Sequence, residues 1–143
     1  MINTHFRGKT TELLVATAFI ARGYQVSQPL VSDSRYDFIV DINNKLIRVQ
    51  VKTCKSKENN SYVEFATSSS HTNTNTTINH SYNSNEIDYF ATFYENECYL
   101  ISVNDCGNRA QRLRIKPPLN GNQRGTKFLK DYTIDKFLET LND

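Results

Sequence analysis

Glu12, Asp37, Gln50 and Lys52 are the residues of this chain whose types and spacing can do chemistry together. Asp37 opens the run Asp-Phe-Ile-Val-Asp-Ile, and Gln50-Val51-Lys52 closes the run Leu-Ile-Arg-Val-Gln-Val-Lys. Only Asn43-Asn44-Lys45 separates the two runs. Magnesium takes hard oxygen donors and keeps several waters, so one or two carboxylates plus phosphate oxygens suffice to hold it. Asp37 offers a carboxylate, Gln50 a side-chain carbonyl, and the Val51 backbone carbonyl a third oxygen. Glu12, early on a helix, is placed to orient a water or to bind a second ion. Lys52 is placed to hold an attacking hydroxide or to offset charge on a scissile phosphate. A divalent cation in such a setting lowers the pKa of its water and stabilises the charge of the transition state.

A hairpin must bring these groups together. Phe38, Val40 and Ile42 alternate with Asp37, Ile39 and Asp41, and Ile47, Val49 and Val51 alternate with Leu46, Arg48, Gln50 and Lys52. Asn tolerates positive φ, so Asn43-Asn44 reads as a two-residue turn. Ile42 then opposes Lys45, Asp37 faces Gln50, and Lys52 lies on the same face one step further. The other face is wholly apolar and has the composition of a core.

Around this hairpin the chain reads as one domain, residues 1–143, without internal repeats. A helix is expected over 8–22, capped by Thr10 or Thr11, with Leu13, Leu14, Ala16, Phe19 and Ile20 at helical spacing and Gly23 as its stop. A strand over 24–28 and a polar loop over 29–36 follow. Residues 62–66 read as a strand, and 87–94 with 98–103 as a second hairpin. Residues 67–85 are almost all Ser, Thr, Asn and His, which cannot build a core and so read as a long loop or mobile flap. A terminal helix over 134–141 would bury Ile134, Phe137, Leu138 and Leu141.

Composition narrows the setting. At 143 residues with 38% apolar content the chain can bury a real core. Its longest apolar run, 13–21, is interrupted by Thr17 and too short to span a bilayer, and its start lacks the pattern of a signal peptide. No membrane association is expected. Cys54, Cys98 and Cys106 are odd in number and widely spaced, which points to reduced thiols in a cytoplasmic setting. The net charge is only +2, yet residues 106–130 carry seven cations and no acid. A patch of that kind attracts polyanions.

A helix bearing Gly8-x-x-x-Glu12, then Asp37 on one strand and Gln50-x-Lys52 on the next, resembles the PD-(D/E)XK nuclease superfamily, to which restriction endonucleases and Holliday-junction resolvases belong. The likeness is greatest to the branch with Gln in the acidic position, including the homing endonucleases of cyanobacterial group I introns. Residues 8–52 carry it. It implies an α/β fold, a restriction-endonuclease-like mixed central sheet flanked by helices. It also implies metal binding at Asp37 and Gln50, water activation or phosphate contact at Lys52, and a supporting acid at Glu12. Tyr36 stands where the family often has Pro, and Gln50 removes one negative charge from the metal site.

The remaining candidates are for DNA. Ser32 and Ser34 occupy the loop that enters the site in this family, and Arg48 lies between the site and the turn. Arg109, Arg112, Arg114, Lys116, Arg124 and Lys127 form the basic stretch that would meet phosphates. Asp41, His71 and His80 read as solvated. The expected function is hydrolysis of phosphodiesters in double-stranded DNA by an endonuclease using Mg²⁺ or Mn²⁺. The alternatives are a Holliday-junction resolvase acting on branched DNA and a non-catalytic DNA-binding module of the same fold. A duplex has two related backbones, so a homo-oligomer, dimer or tetramer, is expected.

Overall fold

The computed structural model describes residues 3–72 and 75–142, with the side chains of His71 and Thr72 left aside. Helix α1 spans Thr4–Ala21. It begins earlier than the apolar spacing suggests because Asn3 caps it, its side chain accepting from the His5 and Phe6 N–H groups. Thr10 and Thr11 are interior positions whose hydroxyls donate back to the Phe6 and Arg7 carbonyls. The buried stripe is Thr11, Val15 and Phe19, while Leu13, Leu14 and Ile20 are exposed. Apolar residues surround much of this helix, so spacing alone does not choose the face; the sheet selects the one centred on Val15. Gly23, at φ +89°, ends the helix as expected, its N–H reaching the Ile20 carbonyl.

The strands in chain order are β1 (Gln25–Ser27), β2 (Phe38–Ile42), β3 (Lys45–Val51), β4 (Lys55–Lys57), β5 (Tyr62–Ala66), β6 (Ser68–Thr72), β7 (Thr77–Ser81), β8 (Tyr89–Tyr94), β9 (Glu97–Ser102) and β10 (Ala110–Arg114). Helix α2 closes the fold over Ile134–Asn142. The central sheet has the order β1-β2-β3-β8-β9, antiparallel except for the β3–β8 pair. It is the mixed, mainly antiparallel α/β sheet expected. A second sheet, β10-β5-β4, and a separate two-stranded ribbon, β6-β7, complete the molecule.

Two apolar cores lie on opposite sides of the central sheet. On one side Phe38, Val40, Ile42, Val49 and Val51 pack with Val15 and Phe19 of α1 and with Phe137 and Leu138 of α2. The Phe19 ring meets Phe38 and Phe137 edge-on at 6.3 and 6.2 Å. On the other side Phe90, Ile101 and Ile87 pack against Val63, Phe65 and Leu113 of the second sheet. That sheet backs the β8–β9 half of the central sheet and leaves the corresponding face of β2 and β3 open.

The polar segment 67–85 departs from expectation. It contains a paired hairpin, Ser68↔Ser81 to Thr72↔Thr77, rather than an unstructured loop. Backbone pairing needs no apolar alternation, and every residue of β7 remains exposed.

Candidate active site

The β2–β3 hairpin adopts the register read from its alternation. Phe38 pairs with Val49 and Ile42 with Lys45, across a turn in which Asn43 and Asn44 take φ 50° and 68°. Two successive positive φ values make the mirror-image turn whose twist suits a hairpin. Asp37 stands just before β2, and its N–H reaches the Val49 carbonyl at 2.8 Å, one step off the ladder. The side chain turns toward β3, where its Oδ2 accepts the Val51 N–H at 2.7 Å. Oδ1 has no hydrogen-bond partner among the described residues.

Asp37 is the most perturbed carboxyl among the described residues. Burial pushes its carboxyl up to about 6, the Val51 N–H opposes this, and the negative charge of Glu12 adds to it; Lys52 and Lys9 pull the other way. These four charges therefore share one field, although they come from α1, the β2 entry and β3. A part-buried hydrogen bond between the Thr11 and Thr53 hydroxyls, 2.9 Å long, ties α1 to the chain just beyond Lys52. Thr11 precedes Glu12, so this contact sets the height of Glu12 on the site. Lys9 pairs with Glu12 at 3.4 Å.

Gln50 is half-buried on the same open face, beside its register partner Phe90, and its amide makes no hydrogen bond among the described residues. Lys52 is anchored through its backbone, its N–H bonding the Ala91 carbonyl at 2.9 Å. Its ammonium lies 5.1 Å from the centre of the Tyr82 ring. Ser32 and Ser34 line a cleft of about 330 Å³ together with Lys9, Glu12, Tyr36 and Asp37. The structure thus gathers Glu12, Asp37, Lys52, Ser32 and Ser34 in one region, and Gln50 directly precedes Val51, whose N–H donates to Asp37.

Arg48 has a different position in the chain's economy of contacts. Its Nε and Nη2 donate to Asp88, and Nη1 and Nη2 donate to the Asn85 and Ser84 carbonyls at 2.7 and 2.8 Å. With these donors engaged internally, Arg48 braces β3 against the entry to β8. The basic stretch is also partly engaged. Arg112 pairs with Glu64, Arg114 donates to the Lys116 and Pro117 carbonyls, and Lys116 donates to the Asn59 carbonyl. Arg109, Arg124 and Lys127 make no side-chain hydrogen bond or ion pair among the described residues. His80 and Asp41 are exposed, as expected, and the His71 side chain lies outside the described residues.

Lys9, Lys55, Arg35 and Tyr82 escape the sequence reading. Lys55 lines a groove with Thr53, Lys57, Glu64 and Arg109, in which Lys57 pairs with Glu64 at 2.7 Å. Lys9 stands one helical turn before Glu12, and Tyr82 is the lone aromatic of the polar segment, so both left a faint signal. The three cysteines are free, and burial pushes the Cys98 and Cys106 thiols up to about 12, which disfavours their thiolate forms. Among the described residues no helix is long and apolar enough to cross a membrane.

Comparison with known proteins agrees with this fold. The fold superposes on that of a bacterial homing endonuclease, I-Ssp6803I, with a TM-score of 0.80, covering 99% of this chain and 95% of that one at 19% identity. Protein 5.3 of Escherichia phage T7 is 37% identical over 60 residues, which are 42% of this chain. The chain spans about half the length of that relative, 51%. The model of the PD-(D/E)XK endonuclease family matches residues 2–135, a span that includes all four residues around the open face of β2 and β3, and the chain belongs to that family.

Proposed function

We propose that the protein is a divalent-metal-dependent endonuclease that hydrolyses phosphodiester bonds of double-stranded DNA. The observation that carries this reading is the Asp37 carboxyl: half-buried, held by the Val51 N–H on one oxygen, open on the other, and facing Glu12 across one field. A carboxyl raised by burial and by a second acid is one whose ionised form a cation would stabilise. The donor set fits a hard ion. No cluster of three or more His, Cys, Asp or Glu side chains exists among the described residues. The site offers one carboxylate, the unpartnered Gln50 carbonyl and the Val51 carbonyl, a thin set of the kind that suits Mg²⁺ or Mn²⁺ completed by water and phosphate.

Asp37, Gln50 and Val51 would hold the ion. Such an ion supplies Lewis acidity toward the scissile phosphate and a lowered pKa for the attacking water. Lys52 places a positive charge on the same face, where it offsets charge developing on the phosphate. Glu12 orients water from the helix side. Lys55 and Arg109 line the groove that includes Thr53 and offer the DNA backbone positive charge there, Lys57 being paired with Glu64. Arg124 and Lys127, with Arg112, Arg114 and Lys116 around them, extend that positive surface. Ser32 and Ser34 stand at the cleft mouth, in position to meet the strand being cut. A homing enzyme is the setting that the fold likeness favours, and free thiols suit a cytoplasmic one.

A homo-oligomer, dimer or tetramer, completes the reading. Leu13 and Ile20 on the outer face of α1 are 57% and 58% exposed, an apolar face suited to a second copy. Light scattering gives the mass directly; a monomer at all concentrations removes this part.

The decisive experiment incubates the protein with linear, nicked and four-way DNA, with Mg²⁺ or Mn²⁺. Cleavage of linear duplex is expected with metal, falling by a factor of roughly 100 or more in Asp37→Ala and Lys52→Ala while DNA binding persists. Cutting confined to the four-way substrate identifies a junction resolvase. Binding without cleavage under either metal identifies a non-catalytic module.

A further inference from the structure

We infer that Tyr82 is a positioning residue for the Lys52 ammonium, a ring that holds the cation in place while leaving its hydrogen-bond donors free. The inference rests on the role proposed above for Lys52. Among the described residues that ammonium makes no hydrogen bond and no ion pair, and its Nζ lies 5.1 Å from the Tyr82 ring centre. A lysine head on four flexible carbons carries about 2 kcal/mol of rotamer entropy, and a displacement of about 1 Å at a reacting centre can cost about 100-fold in rate. Something must hold it. A carboxylate partner would occupy its N–H groups and offset its charge. An aromatic face attracts the cation through its quadrupole and takes none of the three donors.

The ring is itself fixed from two directions. It meets the buried Phe90 ring edge-on, 5.3 Å between centres and at 85°. Phe90 is the register partner of Gln50, so this aromatic pair flanks both residues of the Gln50-x-Lys52 motif. The Arg35 guanidinium stacks on Tyr82 with its carbon 3.7 Å from the ring centre. Arg35 in turn donates to Glu86 at 2.7 Å, to the Ser69 hydroxyl at 2.8 Å and to the Ser81 carbonyl at 3.0 Å. Glu86 balances the arginine charge, which mutes its repulsion of Lys52. Arg35 stands two residues before Asp37 in the chain, so the ring is clamped between the segments that deliver Asp37 and Lys52.

The test compares Tyr82→Leu and Tyr82→Phe with the unaltered protein in single-turnover cleavage of duplex DNA, alongside DNA affinity. Tyr82→Leu, which keeps an apolar side chain and removes the π-face, is expected to cleave about tenfold more slowly with unchanged affinity. Tyr82→Phe is expected to recover the rate to within about twofold of the unaltered protein, because the face and not the hydroxyl acts. In the unaltered protein the Lys52 ε-methylene proton resonances should be shifted upfield by the ring current. This NMR reading holds even where the leucine variant fails to fold. Unchanged cleavage in Tyr82→Leu, an equal loss in Tyr82→Phe, a loss confined to affinity, or unshifted Lys52 resonances would each overturn the inference. Failure of the unaltered protein to cleave any DNA removes instead the nuclease reading on which it stands.

Discussion

The two hairpins β2–β3 and β6–β7 are built from the same backbone pattern and are held by different forces. In β2–β3 one face is entirely apolar and buried, with Val40 and Val49 fully inaccessible. A slip of one residue would turn that face to water, so the register is strongly specified. In β6–β7 no residue of β7 is buried, and the ribbon is fastened at its base by polar contacts. Arg35 reaches Ser69 and Ser81, and the Ser81 hydroxyl donates to the Asn108 carbonyl. Of the residues proposed for chemistry, Asp37, Gln50 and Lys52 stand on or beside the first hairpin, where burial behind the sheet fixes position in front of it, and Glu12 comes from α1. The second hairpin is attached to the site through a few side chains, chiefly Arg35 and Tyr82.

That contrast can be broken at its strong end. Val49→Asp puts a charge into a fully buried position and is expected to cost about 4 kcal/mol or more, enough to unfold the domain in urea titration. Asn79→Asp, at an exposed position of β7, should change stability by less than about 0.5 kcal/mol. Similar losses in the two variants would erase the distinction.

A middle-sized effect tests how the ribbon is fastened. Arg35→Leu should lower global stability by only about 1–2 kcal/mol, while amide exchange in β6 and β7 quickens far more than in β2 and β3. Uniform quickening across both hairpins would mean that Arg35 supports the whole fold.

The smallest effect concerns the site itself. Because the folded chain raises the Asp37 carboxyl from 3.8 to about 6, the native state holds that proton more tightly than the unfolded chain does. In metal-free buffer its contribution is therefore fully present below about pH 4, falls as pH rises, and is lost above about 6. Asp37→Asn keeps an acceptor for the Val51 N–H and removes the charge. It should raise metal-free stability at pH 8 by about 1 kcal/mol and flatten the pH dependence between 4 and 6. A destabilised Asn variant at pH 8 would contradict the burial argument.

These differences also explain what could be read from the chain beforehand. The register of β2–β3 was legible because period-two alternation and an Asn-Asn turn agree with each other. That agreement places Asp37, Gln50 and Lys52 on one face from the sequence alone. The pairing of β6–β7 was not legible, since Ser, Thr and Asn present no face to choose between. The three residues of β4 are all exposed, so the second sheet left little pattern beyond the strand Tyr62–Ala66. On α1 an excess of apolar residues hid the stripe that packs, and the cap was assigned to Thr10 or Thr11 because they adjoin that apolar run. Arg48 illustrates the remaining limit of spacing: alternation put it on the site's face, but only the fold reveals Asp88 waiting beside it.

The exposed Leu13 and Ile20 on α1 bear on dosage. In the proposed dimer, covering them makes the amount of paired chain grow as the square of its concentration while single chains predominate. A cell making little of this protein would then hold mainly single chains, and cutting both strands of a duplex at one encounter would begin only above a threshold of supply. The apolar face of one helix would then act as a brake on the proposed nuclease.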